Sequence, residues 1–197
     1  MRKILTLGCA LALCTSALFA DDTKKSAEDM QKAQMEAWMK AATPGDAHKK
    51  LDHMVGTFDV KVKSWMAPAA PPMESTGTAE NTWVLGGRWV EEKFTGTFMN
   101  MPFHGIGYTG YDNIKKQYVG TWIDDMGTSM MVSTGKGGSG NTYEFSSSMD
   151  DPMTGKTMPV TEKVVVTDND HHMMEMWSPG PDGKMFKMME IWYTRKK

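Results

Sequence analysis

The side chains best suited to chemistry in this sequence flank the dipeptide Gly86-Gly87. A two-residue glycine loop between alternating runs reads as a β-hairpin, because glycine adopts the positive φ that such a turn requires. With Leu85 opposite Arg88, one face pairs Trp83 with Val90, Asn81 with Glu92, Ala79 with Phe94 and Gly77 with Gly96. The other face pairs Glu80 with Lys93, Thr78 with Thr95 and Thr76 with Thr97, the opposite-charge and threonine pairs of a solvated surface. The first face is therefore the interior, and it carries Asn81, Arg88 and Glu92 inward. Polar groups inside a sheet protein need partners, water or a ligand. These three are the expected polar groups of a ligand pocket, with Trp83, Phe94 and Trp122 as its walls. Glu92 is also a candidate general base.

A second constellation involves methionine, of which the chain has 21. Met173, Met174, Met176, Met185, Met188 and Met189 crowd one hairpin beside His171 and His172. On a strand, His172, Met174 and Met176 share a face. Thioether and imidazole ligands suit Cu(I), and by the same softness Ag(I). The competing reading is that flexible methionine fills an irregular core or takes up oxidant as sulfoxide. None of the five histidines shows a zinc-motif spacing. His104, beside Gly105, either lines a cavity as a second candidate base or lies on the surface. The neighbours Asp124-Asp125 point to opposite faces of a strand and make no dyad, and Asp150-Asp151-Pro152 reads as a turn. Gly105-x-Gly107 lacks the helix a phosphate loop needs and reads as close strand packing.

These residues need elements to hold them. The apolar spacing of Met30, Ala33, Ala37, Trp38 and Ala41 predicts a helix over 26–42, capped by Ser26, and a second over 44–53. After Val55 the pattern turns to strand. Phe58, Val60 and Val62 alternate with charged residues, and about nine further strand-like runs follow, separated by turn signals such as Asp112-Asn113, Gly137 to Gly140 and Asp168 to Asp170. Ten short strands at regular spacing predict an all-β domain, an up-and-down antiparallel barrel closed at one end by the N-terminal helical segment. A sandwich is the alternative.

The first 20 residues read as a signal peptide: Arg2 and Lys3, an apolar run from Ile4 to Leu13, and Ala20 before the charged Asp21-Asp22. The expected organisation is a signal over 1–20, a helical segment over 21–53 and the barrel over 54–197. The expected location is periplasmic or secreted, without membrane insertion after cleavage. Both cysteines, Cys9 and Cys14, would leave with the signal, so the core alone must hold the barrel. The signal carries two positive charges and no acid, so its loss takes the net charge from −2 to −4. That balance argues against nucleic acid as a partner.

The run Leu51 to Val62, with Gly56-Thr57-Phe58 opening the first strand, resembles the Gly-x-Trp start of lipocalin-like (calycin) barrels, with Phe in place of Trp. Downstream, Leu85-Gly86-Gly87-Arg88, Met101-Pro102-Phe103-His104-Gly105, Gly110-Tyr111-Asp112-Asn113, Thr121-Trp122-Ile123-Asp124, Met149 to Lys156 and Tyr193-Thr194-Arg195 resemble an uncharacterised bacterial family, the domain of unknown function fifteen seventy-nine. The resemblance covers about residues 30–197 and implies a fold but no activity. In lipocalin-like barrels the first-strand aromatic packs under the barrel and a basic residue of the last strand lies across it. This implies that Phe58 and Arg195 meet at the closed end, leaving the other mouth as the entrance. Nitrobindin-like haem barrels are looser relatives that use a histidine near the C-terminus of the barrel. The run 185–195 has none, which argues against haem. The expectation is an exported barrel binding a small, largely apolar molecule without a cofactor. The alternatives are a Cu(I) or Ag(I) carrier and a barrel enzyme using Glu92 or His104.

Overall fold

The computed structural model describes residues 16–137 and 141–197, the side chains of 16–23 excepted. Most of the expected signal peptide, and all of the expected turn at Gly137 to Gly140 after Gly137 itself, lie outside the described residues. The chain divides into two units, one ending at Thr43 and one spanning Pro44–Lys197.

The first unit contributes α1, Ser16–Ala42. It starts earlier than the spacing predicts, so Ser26 is a helix-interior residue and not a cap. The physical reason is that residues 17–25 contain neither Gly nor Pro, and nothing interrupts the helix there. At its end the Thr43 hydroxyl donates to the Met39 carbonyl at 2.6 Å. No helix among the described residues is long and apolar enough to cross a membrane.

The second unit begins with α2, Asp46–Lys49, and a single 3-10 turn, Asp52–Met54, where one helix was expected. Ten strands follow: β1 Gly56–Ser64, β2 Met73–Val84, β3 Trp89–Phe98, β4 Met101–Asp112, β5 Gln117–Asp124, β6 Met131–Gly137, β7 Thr142–Asp150, β8 Thr157–Val166, β9 His171–Pro179 and β10 Met185–Arg195. Each pairs antiparallel with its sequence neighbours, and β10 returns to β1 to close the barrel. The architecture is the up-and-down barrel that the alternation predicts.

Residues 44–55 plug the end where β1 starts and β10 finishes. Leu51, only 2 % exposed, enters a cluster with Val90, Tyr118, Tyr143, Phe145 and Val164. The plug is also pinned by polar contacts. Tyr118 Oη donates to the Ala47 carbonyl at 3.0 Å and Tyr143 Oη to the Lys50 carbonyl at 3.2 Å. Trp83 Nε1 donates to Asp52 Oδ1 at 2.9 Å. A second cluster, Phe58, Val60, Ala79, Phe94, Ile191 and Tyr193, fills the wall built by β10, β1, β2 and β3.

Phe58 and Arg195 are register partners, and the guanidinium sits 4.6 Å from the ring centroid. Arg195 also donates to the carbonyls of Val55 (2.6 Å), His53 (3.0 Å) and Asn169, and pairs with Asp170 at 3.3 Å. Gly56 makes this possible. Its φ is +136°, and a Cβ there would lie 2.2 Å from the Arg195 guanidinium.

At the opposite mouth, inward positions keep partial exposure, among them Trp122, Met131, Ser147, Met149, Met158 and Met189. Some of the methionines line the interior wall, including the directly facing pairs Met149 with Met158 and Met176 with Met189, while ten others among the described residues are exposed.

Candidate functional site: the barrel lumen

The β2–β3 hairpin holds the predicted register, with Asn81 opposite Glu92 and Glu80 opposite Lys93. Glu80 and Lys93 are exposed and Asn81 is 2 % exposed, so the two faces fall as the pattern requires. Asn81 Nδ2 donates to the Met54 carbonyl at 2.9 Å, while its Oδ1 is buried with no partner. Glu92 Oε1 accepts from the Tyr193 hydroxyl at 3.3 Å. Burial raises the Glu92 carboxyl to about 7, against the lowering effect of its hydrogen bonds from Tyr193 and Asn81. Glu92 nevertheless keeps some accessible surface. On an inward position at this depth, that surface faces the lumen. Its β4 partner is Gly107, which brings no side chain across. Trp122 fills that wall instead, so close that a Cβ on Gly105 would come within 2.1 Å of its ring. Trp122 Nε1 donates to Asp124 Oδ2 at 2.9 Å, and Phe94 packs edge-on to Phe103.

His172, Met174 and Met176 lie on inward positions of β9, as the shared face predicts. His172 stacks on Tyr193 at 4.3 Å and meets Phe58 edge-on at 5.0 Å. Its Nε2 is buried without a partner. Burial, then the neighbouring His53 and Arg195, hold its pKa down at about 3. His53 donates from Nδ1 to the Lys50 carbonyl at 2.7 Å, leaving its own buried Nε2 bare. Four residues of strand separate the Cα atoms of His172 and Met176 by about 13 Å. The three side chains therefore lie in file along one wall. No group of three or more His, Cys, Asp or Glu among the described residues is arranged to hold a metal.

A second inward carboxylate was not foreseen. Glu162 on β8 is 6 % exposed, and its Oε1 accepts from the hydroxyls of Ser133 on β6 and Ser147 on β7, both at 2.6 Å. The available signal was its parity, since it alternates inward between Val160 and Val164 on a strand whose other inward residues are apolar.

One expected position is corrected. Arg88 does not enter the lumen: it is exposed and donates to the Leu85 carbonyl at 3.0 Å. The strands stop at Val84 and Trp89, so the turn takes four residues where two were expected, with Leu85 itself at φ +50°. The register survives, but Arg88 belongs to the turn. His104 faces outward and pairs with Asp125 at 2.8 Å, which leaves Glu92 as the inward general-base candidate. Trp83 tethers the plug through Asp52. A cleft of about 320 Å³ opens at the plug rim, lined by Lys50, Tyr111, Lys116, Tyr118, Lys136 and Tyr143 among others.

A closed ten-strand antiparallel barrel of calycin-like build, with polar groups set into an otherwise apolar lumen, defines the class of protein. The chain belongs to the family described as protein of unknown function (DUF1579), whose model matches residues 43–195. No curated protein matches it. Among solved structures, it is similar to Rv2717c from M. tuberculosis, with a TM-score of 0.58 and 12 % identity over 79 % of this chain and 100 % of that one. At that identity the likeness is one of fold. A protein of unknown function from the DUF3598 family of Nostoc punctiforme aligns over 78 % of this chain and all of that one, at 7 % identity and a TM-score of 0.23.

Proposed function

We propose that the barrel binds a small, largely apolar molecule in its lumen, admitted by the mouth opposite the plug. Asn81 and Glu92 are the polar contacts, and Phe94 and Trp122 are walls. The observation that carries this reading is Asn81 Oδ1, a fully buried acceptor with no partner, set directly across from a carboxyl that burial makes costly to ionise. An unmet buried acceptor costs about 1–3 kcal/mol, a cost that a ligand donor removes. Ligand sites of this kind are mainly apolar with a few convergent polar groups. Native mass spectrometry of protein taken from its own cells is expected to show a retained organic mass that is reduced in Asn81→Leu. A wild-type spectrum with only the bare polypeptide mass would count against the reading.

The proposal includes export. The motivation is the basic start, short apolar run and charge switch after Ala20. The intact mass of the exported protein should show loss of about 20 residues; a mass retaining Met1 would sink this part.

A further inference from the structure

The lumen's polar groups are unevenly committed. Among the described residues, the fixed N–H and O–H donors facing it, the neutral His172 imidazole apart, have acceptors already. Trp122 Nε1 is bound to Asp124, Tyr193 Oη to Glu92 and Asn81 Nδ2 to the Met54 carbonyl. The Ser133 and Ser147 hydroxyls both point at Glu162, and the Ser178 hydroxyl donates to the Pro159 carbonyl at 3.0 Å. Arg195, the cation of this region among the described residues, is spent on three backbone carbonyls and Asp170. Inward hydroxyls with no fixed partner, such as Ser64 and Thr109, rotate to donate or accept and set no preference.

The uncommitted capacity is on the acceptor side. Asn81 Oδ1 is bare, and Glu92, a four-site acceptor, receives only the long Tyr193 bond and the Asn81 amide. Glu162 spends a single oxygen on both serines. Glu92 on β3 and Glu162 on β8 stand five strands apart either way round the ring, so the two carboxylates occupy opposite walls. Asn81 and Glu92 are cross-strand partners on one face, with Cβ atoms about 4.5–5.5 Å apart, so one donor group can reach both.

Resting on the lumen-binding reading above, we infer that the ligand's polar end is a hydrogen-bond donor, a protonated amine in particular, and that the lumen rejects amphiphiles with carboxylate heads. An ammonium supplies three donors and makes charge-assisted bonds to carboxylates. A carboxylate head would bring a third negative charge beside two inward acids, without a free cation to receive it.

The test is competition for a neutral fluorescent probe, N-phenyl-1-naphthylamine, bound to the exported protein at pH 8. The competitors are dodecylamine, dodecanol and laurate, each below its micelle concentration. Dodecylamine is expected to displace the probe at a concentration at least tenfold below that of laurate, with dodecanol between them. Glu92→Gln and Glu162→Gln, made separately, should each shrink the amine's advantage over laurate. The wild-type ranking stands as a test even if a variant fails to fold. Laurate binding as well as dodecylamine, or an amine advantage untouched in two folded variants, would overturn the inference while the lumen-binding reading survives. Failure of all three amphiphiles to bind would overturn both.

Discussion

Replacing His172 with Phe should make the barrel gain more stability, or lose less, than the wild-type protein as the pH falls from 7 to 4.5. In the folded state His172 remains neutral down to about 3, because burial, His53 and Arg195 oppose its charge. In the unfolded chain it takes up a proton near its ordinary 6.5. Below that pH the unfolded state binds more protons than the folded one, so stability is lost as the pH falls. By pH 4 the loss from this one group is roughly 3 kcal/mol. Glu92 has the opposite sign. Its folded value of about 7 lies above the ordinary 4.5, so the folded state holds the extra proton and stability is lost as the pH rises between those values. That amounts to another ~3 kcal/mol. The two slopes oppose each other between pH 4.5 and 6.5. Removing the histidine, with a ring kept in its place against Tyr193, leaves the Glu92 slope exposed. Urea unfolding of both proteins at pH 7, 5.5 and 4.5 checks this. Parallel curves for variant and wild type would mean that His172 carries its proton in the folded barrel.

The second large effect concerns the plugged end. Phe58 is fully buried, touches the rings of His172 and Tyr193, and lies beneath the Arg195 guanidinium. Phe58→Ala should cost about 3–5 kcal/mol, the range for truncating a buried aromatic. The guanidinium over its face adds about 0.5–2 kcal/mol, because Arg195 is partly desolvated there. Phe58→Leu, which keeps volume but loses the aromatic face, should cost less than the alanine variant. It should also show coupling to Arg195→Lys in a double-mutant cycle. A measured loss below about 1 kcal/mol for Phe58→Ala would mean the closed end is not held by this contact.

The barrel was legible because inward and outward residues alternate so regularly along β1, β2 and β8. The Asn81–Glu92 pairing was legible because the Gly86-Gly87 turn ties the register of two strands to a single point. Arg88 was misplaced for a related reason. Register says which residues face each other, but not where the strands let go, and Leu85 in a left-handed conformation starts the turn one residue early at each side. The Glu162 cluster was out of reach because it joins three strands. The stagger of β7 against β8 is set by a connection of six residues that does not fix it locally. The unmet nitrogens of His53 and His172 were equally hidden, since an unsatisfied valence is a property of packing and not of residue type. Ser26 shows the remaining weakness: a good capping residue caps only where the preceding chain stops being helical.

The closure of the ring bears on how the barrel comes to exist. Nine of its ten strand pairings join neighbours in sequence and can form as hairpins, each with a short loop to order. The tenth joins β1 to β10, with Phe58 facing Arg195 across more than a hundred intervening residues. Non-local contacts of this kind are slow, because the loop entropy is lost before the contact rewards it. Until that seam forms, β1 and β10 each present a free edge able to pair with another chain. The seam is also where the guanidinium locks onto the carbonyls of the plug. One residue of the last strand thereby joins the end of folding to the sealing of the barrel floor, and the interval before it engages is the time during which the nascent sheet is open to aggregation.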